Sequence, residues 1–418
     1  MSETEEEERI TAIKRRLEGE RSGDIYRSLD KSKSWLMKWW KRYRTGDTEW
    51  YKDLPKKPHT SKKIEEKTEI AVVTIRNSLM DGTDESSRYS FVGSESIKFK
   101  MEELGYKPSE IPSQSTIKRI IKRNKLRINT KERYKRVRSK GRHTIIKPKY
   151  IDEMHQIDIV GPRHIKGFGS FNSLHIKDVV GHQVAGNQYI EKSMDNVIKF
   201  LLGYWKCHAL PKYLQVDNGM SFAGDYVHPR SFSRFVRLCL YMGIEVVFIA
   251  PAKPWMNGTI EEFNKGFDRL FWKKEPFIDL EDVQSKSAIF YARQNKFNER
   301  KMKGNVISSI IPRRMLRTDF EIDVNNIPLV AGKIHFIRVV KSKGDIDVLN
   351  ELFHIGREYI GEFCWATVDT REQSLVVLYN DEEMIVRELK RFDYEIEELV
   401  HDFSDLFLLF RSTWCTMC

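Results

Sequence analysis

The sequence predicts a multidomain chain: α-helical units first, a mixed α/β core next, and a small β-barrel near the C-terminus. Three observations predict this. Apolar residues recur three and four apart through the first 125 residues, the spacing of one helix face. From Tyr150, strand-like runs alternate with helical ones. After about residue 330, short β-rich runs are separated by turns. A chain of 418 residues also exceeds what one core accommodates.

The first unit (1–52) reads as three short helices. One covers about 7–18. "GERSGDIYRSL" gives a second, with Ser22 as its expected N-cap. "DKSKSWLMKWWKRYR" gives a third, capped by Ser32, with Leu36, Trp39, Trp40 and Tyr43 as its apolar stripe. Lys33, Lys38, Lys41, Arg42 and Arg44 supply charge. A short helix, a turn and a basic helix make a helix-turn-helix, whose last helix fits a major groove.

"DLPKKPHTSKK" (53–63) is a Pro/Lys linker. The second unit (64–130) predicts helices over 64–80 and 94–104, with a polar loop between them. A third helix, "IPSQSTIKRIIKRNKL", starts at Ser113. Ile117, Ile120 and Ile121 face inward; Lys118, Arg119, Lys122 and Arg123 face outward. This is a second helix-turn-helix candidate. Residues 131–149 form a basic linker with nine basic residues and one acidic. Lys135, Arg136 and Arg138 within it could track phosphates.

In the core (150–300), "EMHQIDIV", "FNSLHIKDVV" and "HQVAGNQYI" predict three successive strands. A helix from Ser193, the strand "KYLQVDNG", the helix "SFSRFVRLCLYMG" and the strand "IEVVFIAP" follow. Two more helices run to about 275 and over 281–298. A connector (301–328) leads to the small barrel (329–395), built from "KIHFIRVV", "EYIGEFCWATVD", "QSLVVLY" and "EEMIVREL". A tail (396–418) ends the chain.

The net charge of +12 and pI of about 9.2 point to a polyanionic partner, nucleic acid first. No run of about 18 apolar residues suggests a membrane span. The acidic start "MSETEEEERI" lacks the pattern of a secretory signal. Five cysteines make no disulfide framework, and Cys415 and Cys418 have no nearby ligands to complete a zinc site. A soluble, intracellular chain in a reducing compartment is expected.

Three acids stand at informative places. Asp158 lies between Ile157 and Ile159 in the first strand, and Asp217 ends the fourth. Glu261 or Glu262 opens the helix after the fifth. Carboxylates gathered at one spot repel and raise one another's pKa unless a cation sits between them. Oxygen ligands alone suit Mg²⁺, and two such ions suit phosphoryl transfer. Ile260, Phe263, Phe267, Leu270 and Phe271 form the helix's core stripe. Glu261 and Glu262 lie about equally far from it on opposite sides, so periodicity does not choose between them.

"HQIDIVGP", "QVDNGMSF" and "PAKPWMNGTIEEFN" resemble the core of DDE transposases and retroviral integrases, a ribonuclease H-like fold, over about 150–300. Asp217, Asn218, Gly219 and Phe222 meet one pattern. Pro251, Pro254, Asn257, Gly258, Glu261 and Asn264 meet the other. The arrangement is most similar to the bacterial insertion-sequence type, with paired helix-turn-helices before the core and an SH3-like barrel after it. The resemblance implies that Asp158, Asp217 and Glu261 are catalytic and hold two Mg²⁺, with Mn²⁺ able to substitute. It implies that Lys265 contacts the DNA end.

The activity implied is 3′-end cleavage and strand transfer. The implied partners are double-stranded DNA, as terminal inverted repeats and target, and further copies of the chain. The implied setting is cytoplasmic and nucleoid-associated, with no membrane. The sequence departs at His155, where a Trp is usual, and at Gly181 and His182, where Ser-Arg is usual. The departure at Gly181 and His182 makes Asp178 the expected structural rather than catalytic acid. No Cys precedes Cys207, so the zinc module of retroviral integrases is missing. Pro251 and Pro254 are expected to hold an extended loop, and Gly258 to permit a tight start to the helix. Two rivals are a domesticated or inactive DNA-binding regulator and a hydrolytic nuclease of the same fold.

Overall fold

The structure is a computed structural model, and it describes residues 3–53, 64–82, 87–128, 143–219, 222, 229–302, 314–381, 383–402 and 410–412. Lys135, Arg136, Arg138, Cys415 and Cys418 lie outside the described residues, as does most of the loop "AGDYVHPRS". The chain divides into two compact units, Met1–Glu65 and Glu66–Cys418.

The first unit holds α1 (Glu3–Leu17), α2 (Ser22–Ser28) and α3 (Lys33–Arg44) around Ala12, Ile13, Ile25, Leu36 and Trp39. Ser32 caps α3 by accepting from the Trp35 N–H at 3.1 Å. Ser22 is not the cap of α2; it is the first helical residue, and Arg21 before it makes no side-chain cap bond. Arg9 is buried. It donates to the Tyr51 carbonyl at 2.8 Å, pairs with Asp53, and lies 4.1 Å over the Trp39 ring.

The second unit begins with α4 (Glu66–Asp81), α5 (Ser94–Glu103) and α6 (Gln114–Arg123), which share a core of Val72, Ile75, Leu79, Ile97, Met101, Ile117, Ile120 and Ile121. Ser113 caps α6 through the Thr116 N–H. The core follows as β1 (Met154–Ile165), β2 (Gly169–Asp178), β3 (Val184–Tyr189), α7 (Met194–Cys207), β4 (Tyr213–Val216), α8 (Arg234–Tyr241) and β5 (Glu245–Phe248). Then come α9 (Gly258–Phe267), one wider helical turn over Asp268–Trp272, and α10 (Leu280–Met302).

The strands β1, β2 and β3 form an antiparallel meander, and β4 and β5 add to β1 in parallel. Apolar residues alternate to both faces. Ile157, Leu214, Val216 and Phe248 face α7 and α8; Met154, Tyr213 and Val247 face the other way. The helices α9 and α10, with the wider turn after α9, bury Ile260, Phe263, Phe267, Phe271 and Phe290 against Phe171 and Val184.

The later strands are β6 (Arg314–Leu316), β7 (Lys333–Val339), β8 (Asp345–Val348), β9 (Glu351–His354), β10 (Phe363–Asp369), β11 (Ser374–Asn380), β12 (Val386–Asp393) and β13 (Phe410–Ser412). Here the structure departs from a separate barrel. β7 pairs in parallel with β5, and β10, β11 and β12 follow in antiparallel order. One nine-stranded sheet results, in the order β12-β11-β10-β7-β5-β4-β1-β2-β3. No pairing among the described residues closes the later strands on themselves. The physical reason is a shared core: Phe336 of β7 stacks on Phe248 of β5 at 5.1 Å.

The helices α4–α6 also belong to this unit. Between α4 and α5 the sequence suggests only a polar loop, yet Tyr89 is buried with its ring 5.3 Å from Phe271. Phe99 of α5 meets Phe297 of α10 at 5.5 Å. Arg293 pairs with Glu103, Arg300 with Glu95 and Glu102, and Arg88 with Glu275. No helix among the described residues is long and apolar enough to cross a membrane.

Candidate metal and catalytic site

Strand register brings the two aspartates side by side. β1 and β4 pair in parallel with Gln156 opposite Gln215. Two residues further on each strand stand Asp158 and Asp217. Side chains two apart share a face, so both carboxylates emerge on the side covered by α9.

The segment after β4 is held by its own polar groups. Asp217 Oδ1 accepts from the Gly219 N–H at 3.0 Å, closing a tight turn. Asn218 donates its amide to the Ile249 carbonyl beyond β5. Phe222 is buried against Phe235 at 5.0 Å. The Asp-Asn-Gly-x-x-Phe pattern thus orients Asp217 at one end and anchors the chain at the other.

The start of α9 is fixed by two glutamines that sequence reasoning missed. The Gln156 side chain accepts from the Ile260 N–H at 3.0 Å, satisfying a donor that a helix start leaves open. Gln215 donates to the Met256 carbonyl at 2.9 Å. Asn257, itself buried, donates to the Ile157 carbonyl at 3.2 Å. A signal was available: Gln stands two before Asp in both "QID" and "QVD". Gly258 does not play the expected part. Its φ is −60°, ordinary for a helix, and a Cβ there would meet nothing. The left-handed residue is Ala252, at φ 57°, and Pro254 opens a short 3₁₀ turn before the helix.

Electrostatics separates the two glutamates. Burial, the neighbouring Asp217 and then Glu261 push Asp158 up to about 6; hydrogen bonds from the Ile159 backbone and Asn264 oppose them. Glu262 sits on the other side. Burial lowers the Lys177 ammonium and Glu262 pulls it back up. Glu261 therefore faces the aspartates, and Glu262 faces Lys177. Lys265 reaches Glu261 at 3.6 Å and is otherwise exposed.

Three carboxylates from three separate segments thus share one region, and their crowding helps raise Asp158. Their oxygens are hard donors, and the repulsion among them is what a divalent cation would relieve. The donor set is of the kind Mg²⁺ takes, although these three carboxylates are not a group whose oxygens all lie within 4.8 Å of one another.

A second acidic group lies nearby in sequence. Asp152, His155 and Asp178 offer ligand atoms all within 4.8 Å of one another, a set that could hold a metal ion. His155 Nε2 lies 3.2 Å from Asp152 Oδ1. Asp178 already accepts from three backbone N–H groups, those of Asp152, Val180 and Gly181, at 3.0–3.1 Å. It therefore holds the β2–β3 turn to the start of β1. Gly181 stands there because a Cβ would come within 2.4 Å of the Asp178 carboxylate. His155 is three residues from Asp158 on β1, so it faces the opposite side of the sheet, about 10 Å along the strand.

The remaining site residues lie elsewhere. Lys33, Lys38 and Lys41 are exposed on α3; Lys118, Arg119 and Lys122 are exposed on α6. Two expected DNA contacts are already engaged at the surface by other groups of the chain. Arg42 donates to the Lys52 carbonyl at 2.6 Å, and Arg123 makes a two-pronged bond to Glu69. Trp255 is half-exposed beside His143 and Phe363, with ring separations of 4.8 and 6.2 Å.

No family model matches the sequence, and no curated protein matches it. Solved structures give distant likenesses. The HTLV-2 integrase catalytic core domain in complex with magnesium, in its dimeric form, is 16% identical, with a TM-score of 0.26; the match covers 34% of this chain and 86% of that one. Its trimeric form gives 16% and 0.25, over 32% and 82%. The simian T-cell lymphotropic virus intasome in complex with PP2A regulatory subunit B56 gamma gives 10% and 0.31, over 77% and 99%.

Proposed function

We propose that this chain is a DNA strand transferase of the DDE type, working at the ends of a mobile element. One observation carries the reading: Asp158, Asp217 and Glu261 lie close enough that the latter two raise the half-buried Asp158. The three would hold two Mg²⁺. When bound, the ions supply an activated oxygen nucleophile and offset charge on the leaving oxygen.

The chain's own residues do the rest. Gln156, Gln215 and Asn257 fix the start of α9, so Glu261 is presented rather than searching. Lys265, one turn on, sets a positive charge where a phosphate would lie. The exposed lysines of α3 and the basic face of α6 would bind duplex DNA, and their phosphate contacts make binding salt-dependent. Two ends must be joined, so several copies would assemble on DNA.

The test is strand transfer of labelled end oligonucleotides in Mg²⁺ or Mn²⁺. Glu261→Gln is expected to abolish joining, by more than about a hundredfold. Glu262→Gln is expected to leave most of it. The opposite ranking refutes the site.

A further inference from the structure

We propose that His175 is a positioning residue for Asp158, acting through the amide of Asn264. The inference rests on reading Asp158 as a metal carboxylate. No pattern in the sequence singles out His175, and the role comes from the geometry alone.

Asp158 of β1 lies directly opposite His175 of β2, which lies directly opposite Gly186 of β3. Asn264 of α9 spans the first two. Its Nδ2 donates to Asp158 Oδ2 at 2.7 Å, and its Oδ1 is 2.7 Å from His175 Nδ1. His175 is fully buried and Asn264 nearly so. A side-chain amide has one donor end and one acceptor end, and only its surroundings decide which way round it sits. A carboxylate accepts, so it needs the NH₂ end. The oxygen end then meets His175, whose Nδ1 must carry the proton.

Three further observations agree. His175 Nε2 is buried with no hydrogen-bond partner among the described residues, as suits the unprotonated nitrogen. Burial lowers the ring to about 3, so it is neutral and carries one proton only. The ring is gripped by Phe267 at 4.6 Å, Phe263 at 5.2 Å and Tyr291 at 5.9 Å. Gly186 completes the grip. A Cβ there would come within 2.6 Å of the His175 ring and 2.5 Å of the Tyr291 hydroxyl. The fold thus reserves room for this imidazole and fixes its edge.

The consequence is directional. With His175 in place, Asn264 can present only N–H to Asp158. Without the Nδ1 proton, the amide oxygen loses its donor, and only Asp158 itself holds the amide in that orientation. Groups that orient metal ligands from behind typically change metal affinity by about 10–100-fold when removed.

Two measurements on the full chain test this. Long-range ¹H–¹⁵N NMR of histidine-labelled, metal-free protein, with His175→Phe to assign the signal, is expected to show the neutral Nδ1–H form. An Nε2–H form overturns the proposal. This readout uses the wild-type ring, so if His175→Phe does not fold, His175→Asn supplies the assignment. The second measurement is Mn²⁺ binding without DNA. His175→Phe is expected to weaken it at least about tenfold. His175→Asn, which can place an amide N–H at the same point, is expected to stay within about threefold of wild type. In an Asn264→Leu background, His175→Phe should add nothing further.

Wild-type Mn²⁺ binding in His175→Phe, or additive losses, overturns the relay. If the relay holds but wild type never joins DNA ends, the strand-transfer reading fails by itself. If joining occurs and the relay measurements fail, only this inference falls.

Discussion

Asp158→Asn in metal-free protein should raise stability at neutral pH, although the residue is proposed as essential. The free carboxyl value is 3.8, and burial with Asp217 and Glu261 raises it to about 6 in the folded chain. Stability associated with the protonated form is whole below about pH 4 and lost as the pH rises through 6. That gap corresponds to about 3 kcal/mol at pH 7.5, by the linkage between pKa and stability. An asparagine at 158 carries no charge, and its carbonyl can still accept from Asn264. Allowing for imperfect geometry, a gain of about 1–3 kcal/mol is expected, or a few degrees in melting temperature. Thermal unfolding in EDTA at pH 7.5 and pH 5 measures it. The gain should shrink at pH 5, and Mg²⁺ should stabilise wild type more than the variant. A variant that melts below wild type at pH 7.5 in EDTA refutes the crowded-carboxylate reasoning.

Other outcomes follow from the same structure. Gln156→Leu leaves the Ile260 N–H unpaired and should cost about 1–3 kcal/mol in thermal or urea unfolding, with loss of joining activity. Arg300→Ala removes the pairs to Glu95 and Glu102, which are only partly buried, so a cost of about 1–2 kcal/mol is expected. Limited proteolysis should then cut between α4 and α5 sooner. Replacing Lys118, Arg119 and Lys122 by Ala should weaken end binding and flatten its salt dependence by up to about three phosphates' worth. Arg123→Ala should do less, because Glu69 already holds that guanidinium.

Local signals carried far in the sequence. Ser32, Ser113 and Ser193 each cap the expected helix. The strand alternation of "HQIDIV" and the buried run "YLQV" both became strands at the core's centre. What stayed hidden depends on partners far along the chain. The β5–β7 pairing joins segments some 85 residues apart, and nothing near Val246 or Ile334 marks it. Tyr89 and Phe91 read as loop residues because their apolar partners, Phe271, Phe290 and Phe297, lie some 180–200 residues later. Periodicity could not separate Glu261 from Glu262, since both flank the same stripe. The difference came from the opposite strands, which offer Asp158 to one and Lys177 to the other.

The joined sheet also decides where the chain can be cut. The sequence patterns delimit 150–300, which invites expression of that piece alone. Such a piece would lose β7 and lay bare one side of β5, where Val246, Val247 and Phe248 are wholly buried in the intact chain. That raw strand would offer unpaired backbone groups beside uninterrupted apolar surface, with Glu245 as its single charge. Bare edges of this kind seek other chains. The extent of a stable fragment is therefore set by hydrogen-bonded neighbours rather than by the three acids, and it runs past β12 to His401, which bonds to Leu329 and Ala331.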